Sequence, residues 1–369
     1  MSGLRVLVTG AAGLVGAEVA VRLANEGHTV LALVHTRSEI VRNDGRVVRT
    51  VPIGRSGPGL VSCVAGDVTK PMLGLTTERY EDLAGGLDRV VHAAATTDFG
   101  RRWETYESLN VDGTRNVVRL AAERSVPLVH VSTAYVCGER TGRVLEDELD
   151  VGQRFGTGYE RSKFLAEQEV RAAAANGLPA AVVRPSMIVG TQTSGEIRDF
   201  KNMYVVLKLF TQGRVRSVPG FYDALLDLVP VDYVAALICQ VVNRFPEAEG
   251  RTFHAVGASP HTLLDVSNAL AEYPMFQVPH YVSPSSFDAG ALPPDERVYY
   301  RRIIAMYESF FRRRARFDDT NAARLAPWRP TATGVEYLRT LLDHCVRVGY
   351  LGRPESGIGE VLRLAGRTR

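Results

Sequence analysis

The chain has 369 residues, 45% hydrophobic and 23% charged, enough for one large globular domain with an elaboration or for two domains. Its formal net charge of +3 is small and its basic residues are spread along the chain, so charge balance implies neither nucleic acid nor an acidic partner. No apolar run approaches a membrane span, and the four cysteines, Cys63, Cys137, Cys239 and Cys345, form no C-x-x-C pair, which argues against a zinc site or a disulfide framework.

The first element is an apolar run, Leu4 to Val8, that enters Thr9-Gly10-Ala11-Ala12-Gly13-Leu14-Val15-Gly16 and opens an amphipathic segment, Leu14 to Glu26. A glycine-rich turn between strand and helix is a phosphate cradle. Gly10 allows the tight turn, Gly13 lets the backbone approach a pyrophosphate, and Gly16 lets helix and strand pack closely. Ala12 and Leu14 share the turn, and the helix N-terminus supplies aimed N–H groups. A dinucleotide is the expected ligand; a plain strand-to-helix turn is the alternative in a chain with 34 glycines. With the motif nine residues from Met1, no signal peptide or transit segment is expected to precede it, and a reducing cytoplasm is the expected location.

Further β-branched runs near 29–34, 60–65, 88–93, 127–132 and 179–184 alternate with helical patterns, which predicts an α/β fold with a doubly wound parallel sheet. The order breaks down after Arg184-Pro185, leaving short helices, loops and one further strand near Thr252–Val256. The expected division is a dinucleotide-binding domain over 1–184, completed by 231–258. A smaller, mostly helical substrate-binding region takes 185–230 and 259–369.

The end of the second strand selects the dinucleotide, because an acid there bonds the ribose 2′-hydroxyl and an arginine accommodates a 2′-phosphate. Here Thr29–Val34 runs into His35-Thr36-Arg37-Ser38 with no acid before Glu39, so NADP(H) is favoured over NAD(H), with Arg37 as the selecting residue; a solvated loop charge is the alternative. Gly66-Asp67-Val68 follows the third strand, where Asp67 could accept from an adenine amino group or simply cap a turn. His92-Ala93-Ala94-Ala95 ends the fourth with side chains small enough for a cofactor to lie over the backbone, or for close packing.

The chemistry falls to Ser132-Thr133, at the end of the fifth strand, and Tyr159-x-x-x-Lys163. Residues four apart share a helix face. A phenol has an unperturbed pKa of about 10, and an ammonium one turn away, with an oxidised nicotinamide, would favour its ionised form. Thr133 would hydrogen-bond the same substrate oxygen. Fourteen tyrosines and four lysines predict roughly 0.15 accidental Y-x-x-x-K matches, and the chain has two. The second, Tyr204-x-x-x-Lys208, lies beyond the last strand among apolar residues and reads as a packed helix face.

The succession T-G-x-x-G-x-x-G, H-A-A-A, L-N-V-D-G-T-R-N-V, V-S-T-A-Y-V-C-G, Y-x-x-x-K and R-P-S-M-I-V-G, from Leu4 to about Gly257, resembles the extended short-chain dehydrogenase/reductase family. The resemblance implies cofactor contacts at Gly10, Gly13, Gly16, Asp67, Ala93 and Lys163, and places Asn110 in the structural and proton-relay part of the site. It also implies that Thr133 rather than Ser132 is the catalytic hydroxyl, and that Pro185 and Ser186 flank the nicotinamide.

Ala65–Pro71, Thr96–Phe99, Ser132–Gly138, Asp227–Val234 and the short tail Arg316–Asn321 further resemble the thioester-reductase and fatty acyl-CoA reductase branch. That branch implies NADP(H)-dependent reduction of an acyl thioester, on coenzyme A or a carrier protein, to an aldehyde, with onward reduction to an alcohol open. A free-standing reductase is expected, without the adenylation and carrier domains of multidomain members, so the thioester is expected to arrive in trans. A ketone or hydroxyl oxidoreductase acting on a polyketide, steroid-like or isoprenoid substrate is the alternative, and a nucleotide-sugar epimerase or dehydratase stands behind it. Monomer and homodimer are both open.

Glu296 to Phe317 places Val298, Ile303, Ile304, Tyr307, Phe310 and Phe311 beside Arg301, Arg302 and Arg312-Arg313-Arg314. Three readings compete: a core-packed helix with a solvated basic edge, a lid over an acyl tunnel, and a basic amphipathic helix touching anionic membrane or a carrier's prosthetic arm.

Overall fold

The computed structural model describes residues 3–37, 39–328, 330 and 334–352; Ser38 and the end of the expected substrate-binding region, 353–369, lie outside the described residues. Eight parallel strands form the central sheet, in the spatial order Thr252–Ala255, Ala180–Pro185, Leu128–Val131, Arg89–His92, Arg5–Thr9, Thr29–Val34, Val61–Ala65 and Thr50–Val51. Strands covered on both sides must be apolar throughout, as the first strand illustrates. Val6 and Val8 face a layer built with the helices Leu14–Asn25 and Val231–Asn243. Leu7, between them, faces Val117, Leu120 and Val170 on the helices Gly113–Glu123 and Gly158–Ala175.

The strand order reverses between Arg5–Thr9 and Arg89–His92, and the crevice at such a switch point, beyond the strand carboxyl ends, is where open α/β sheets bind ligands. His92 locks this junction. One ring nitrogen lies 2.7 Å from the Thr9 hydroxyl and the other 3.0 Å from that of Thr114.

A third apolar cluster sits over the crevice, built from the helices Met203–Thr211, Leu263–Ala271 and Val335–Arg347 and the 3₁₀ turn Ile304–Phe311. Short ladders tie it to the sheet region: Leu228–Pro230 pairs with Met187–Val189, and Arg314–Phe317 pairs with Thr141–Val144.

The segment from Glu296 to Phe317 is not the single helix its periodicity suggests. A helix over Pro294–Arg302 stops at Ile303 (φ −131°, ψ −61°), a 3₁₀ turn carries Ile304–Phe311, and Arg314–Phe317 is a strand. Ile303, Ile304, Tyr307, Phe310 and Phe311 are buried while Val298 is exposed, so most of the face offered to a membrane in one reading is committed to the core. Arg313 is only 4% exposed and is no part of a solvated basic edge. Tertiary contact with Phe99, from a loop two hundred residues upstream, has overridden local periodicity. No helix among the described residues is long and apolar enough to cross a membrane.

Candidate active site

The glycine-rich turn is shaped by close backbone approach. Gly10 adopts φ +68°, and a Cβ on it would lie 2.6 Å from the backbone nitrogen of Ala94. A Cβ on Gly16 would lie 2.2 Å from the Gly10 carbonyl oxygen. A Cβ on Gly13 would meet only that same carbonyl, at 3.1 Å, and Gly13 opens the helix Leu14–Asn25 with no side-chain cap on its first turn. The uncapped N–H groups and the positive end of the helix dipole stand over open space.

That space is two adjoining cavities. One, of about 260 Å³, is lined by Gly10, Ala12, Gly13, Arg37, Asp67, Val68 and the run Ala93-Ala94-Ala95. The other, of about 310 Å³, runs past Gly13, Leu14, Gly16 and Arg37 to Thr133, Tyr159 and Ser186. Asp67 both caps a turn and lines the first cavity. It accepts from the Thr69 amide at 3.0 Å and hydroxyl at 2.7 Å, and its other oxygen is 3.6 Å from both His35 and Lys70. Burial pushes its pKa up, but these partners outweigh it and hold the carboxyl below its usual range. Uncapped helix N–H groups, small residues along one wall and an exposed arginine fit a dinucleotide laid across the switch point.

At the reaction end, Thr133 and Tyr159 face one cavity from strand end and helix start. The Thr133 hydroxyl donates to the Pro185 carbonyl at 3.2 Å. Burial pushes the Tyr159 phenol up to about 12; a hydrogen bond with Thr133 pulls it back, while Glu160 and Tyr106 raise it further. The phenol therefore keeps its proton at neutral pH.

Lys163 lies under the cavity wall, with Nζ donating to the Val131 carbonyl at 2.8 Å. Burial lowers its pKa to about 8 against the opposing pull of Glu167. Asn110, in a π-helical turn at Glu107–Asp112, is fully buried. Its side-chain oxygen accepts from the Thr96 amide at 2.8 Å, and its nitrogen donates to Ser162 at 2.8 Å, whose hydroxyl donates to the Tyr159 carbonyl. Asn110 thus reaches Tyr159 through backbone rather than through its phenol. Ser186 donates to Asp227 at 2.5 Å, and burial raises that carboxyl to about 6.

The Tyr204-x-x-x-Lys208 pair lies in a buried helix. The Tyr204 hydroxyl accepts from the Gly190 amide at 2.9 Å, and the Lys208 ammonium sits 4.3 Å from the centre of the Tyr350 ring.

Several residues complete the site, some of them inside motifs quoted above but given no role there. Arg184 pairs with Glu167 at 2.6 Å, both essentially unexposed, tying the R-P-S strand to the Tyr159 helix. Arg198 reaches from the opposite wall to donate to the Ala12 carbonyl at 3.4 Å and to the Val41 carbonyl. The Phe99 ring stands 5.7 Å from Tyr159 and stacks on Phe310. Met187 lines both the cavity and a narrow apolar cleft of about 40 Å³ walled by Phe210, Leu263, Tyr307 and Phe310.

A parallel sheet with a glycine-rich switch point and a Thr/Tyr/Lys set defines an NAD(P)-dependent oxidoreductase of the extended short-chain type. The chain belongs to the family described as male sterility protein, whose model matches residues 8–238. An isonitrile lipopeptide synthase of Streptomyces coeruleorubidus is 29% identical over 277 residues, 73% of this chain and 18% of that protein. The aldehyde reductase lnaA of Aspergillus flavus is 29% identical over 222 residues, 56% of this chain and 21% of that one. The chain thus spans about a fifth of the length of these relatives. Among solved structures, the terminal R domain from the myxalamid PKS-NRPS biosynthetic pathway superposes with a TM-score of 0.75 at 24% identity, covering 96% of this chain and 93% of its own. A thiolation-reductase di-domain from an archaeal non-ribosomal peptide synthetase gives 0.71 at 18% identity, covering 95% and 76%. These likenesses bear out the α/β doubly wound fold.

Proposed function

We propose that the protein reduces an acyl thioester to an aldehyde with NADPH. The observation that carries this reading is a juxtaposition: the cavity runs from the glycine-rich turn past Thr133 and Tyr159, and Met187 in its wall also lines an apolar cleft. A reduced nicotinamide, when bound, supplies the hydride for the carbonyl carbon. Thr133 and Tyr159 hold the carbonyl oxygen, and as the C=O π pair moves onto it Tyr159 gives up its proton. Collapse of the resulting hemithioacetal re-forms C=O, breaks the C–S bond and sends the electron pair out on sulfur as a thiolate, which takes up the hydroxyl proton. A phenol that stays protonated at neutral pH suits this direction. Lys163, Asn110, Ser162 and the Arg184–Glu167 pair hold the helix that carries it.

Gly10, Ala12, Gly13, Leu14 and Gly16 would seat the pyrophosphate, with Asp67, Val68 and Ala93 to Ala95 along the adenosine, and Pro185 and Ser186 beside the nicotinamide. Arg37, exposed and lining both cavities, supports NADP(H) over NAD(H) through a 2′-phosphate. The apolar cleft suits an acyl chain, and a carrier-bound thioester is the proposed substrate, as the thiolation-reductase di-domain suggests. The test is oxidation of NADPH and NADH, followed by absorbance, with medium and long acyl-CoA thioesters and matched ketones and aldehydes. Thioester-dependent oxidation with an aldehyde or alcohol product is the expected result; turnover of ketones alone overturns the reading.

A further inference from the structure

We infer that Arg313 is a positioning residue for the proton donor: its buried guanidinium neutralises Glu160, next in sequence to Tyr159, so that Tyr159 can take on negative charge during reduction. The inference rests on the reading of Tyr159 as donor. Glu160 is fully buried, and both its oxygens are engaged. One accepts from Arg313 Nη2 at 2.7 Å, the other from the Gly156 amide at 2.9 Å, while the Glu160 amide donates to Thr157 at 3.1 Å. The first turn of the Tyr159 helix is therefore built around a carboxylate out of water.

A lone carboxylate in that place is costly, and it opposes any negative charge arising on the neighbouring phenol. Arg313 supplies the missing counter-charge from 153 residues away. Its guanidinium lies 4.7 Å from the Tyr135 ring centre and 4.6 Å from that of Phe310, and those rings line the cavity and the apolar cleft respectively. Its carbonyl accepts from the Leu225 amide at 2.7 Å. Among the described residues, Nε and Nη1 have no hydrogen-bond partner, so Glu160 is its sole hydrogen-bonded anion. The groups acting on Tyr159 are the Thr133 hydroxyl, Glu160 and Tyr106; Lys163, one turn along the helix, gives its ammonium to the Val131 carbonyl. Cys137 and Tyr135 flank the guanidinium, and burial raises both, keeping them neutral. Arg140 acts on Cys137 from further out. Glu160 is thus the anion beside the donor, and Arg313 the cation that answers it.

The test is a double-mutant cycle in the full chain: Arg313→Met, Glu160→Gln, the two together, and Arg313→Lys. Kinetics would be joined by 19F NMR titration of 3,5-difluorotyrosine placed at position 159, with thermal unfolding as a check on fold. Arg313→Met is expected to lower kcat at least tenfold with little change in the KM for NADPH, and to raise the titration midpoint at position 159 by about one pH unit. The double variant, which removes both charges, is expected to return the midpoint and most of kcat to the Glu160→Gln level, and Arg313→Lys to recover part of both. A merely structural clamp predicts that the double variant is no better than Arg313→Met, and that result, or an unmoved midpoint, overturns the inference. The NMR titration needs no substrate, so it stands even if acyl thioesters prove not to be turned over.

Discussion

The two ends of the site are made of different materials. At the cofactor end the decisive features are backbone and absence of side chain: Gly10 against Ala94, Gly16 against the Gly10 carbonyl, and three alanines along one wall. Charged groups there, such as Arg37 and Lys70, lie near solvent. At the reaction end Glu160 with Arg313 and Glu167 with Arg184 are buried ion pairs, and Asp227 is a buried carboxyl held by the Ser186 hydroxyl. The first end fails through volume, the second through uncompensated charge.

The sharpest break in that contrast is Tyr159→Phe, which removes the hydroxyl and leaves the ring. Turnover is expected to fall by about 10²–10⁴, the usual worth of a general acid, while fluorescence titration shows NADPH binding intact. Loss of binding instead would mean that the phenol belongs to the cofactor end. Gly16→Ala is the steric counterpart. Its Cβ would stand 2.2 Å from a backbone oxygen, so a stability loss of roughly 1–3 kcal/mol, or more if the loop cannot shift, should appear in thermal unfolding.

Arg37→Ala sharpens the comparison by testing a charge at the steric end: the KM for NADPH should rise about tenfold while that for NADH stays put. An equal rise for both would remove Arg37 from cofactor selection. The mildest effect concerns pH. Burial holds Lys163 down to about 8, so its ammonium is complete well below that pH and is lost as pH rises through it. The pH profile of kcat/KM should therefore fall on the alkaline side of about pH 8 by several-fold; a flat profile to pH 10 would show that the charge of Lys163 does not matter.

What could be read from the chain follows the same division. Strands covered on both faces must be apolar, so Arg5–Thr9, Thr29–Val34, Val61–Ala65, Arg89–His92, Leu128–Val131 and Ala180–Pro185 announce themselves. Thr50–Val51, a half-buried edge, carries no such signal. The glycine turn and Tyr159 with Lys163 are legible because their parts are neighbours in sequence. Arg198 meets Ala12 across 186 residues and Arg313 meets Glu160 across 153; no local pattern records either meeting. The same blindness explains Glu296–Phe317: helical spacing of apolar residues is also what a helix, a 3₁₀ turn and a strand leave behind when each is packed from one side. Asn110 shows a subtler limit, since its motif marks the place but not that its amide would be spent on Thr96 and Ser162.

The parallel pairing of Arg314–Phe317 with Thr141–Val144 has a consequence for how the enzyme comes into being. By the time a ribosome has added Ala255, every strand of the large sheet exists, and with it the glycine turn, Thr133 and Tyr159. The edge at Thr141–Val144 must nevertheless wait for residues made some sixty positions later, and until then it is an open strand edge of the kind that invites wrong partners. Birth order thus separates the glycine turn, Thr133 and Tyr159, which come early, from the Arg313 that answers Glu160, which comes last.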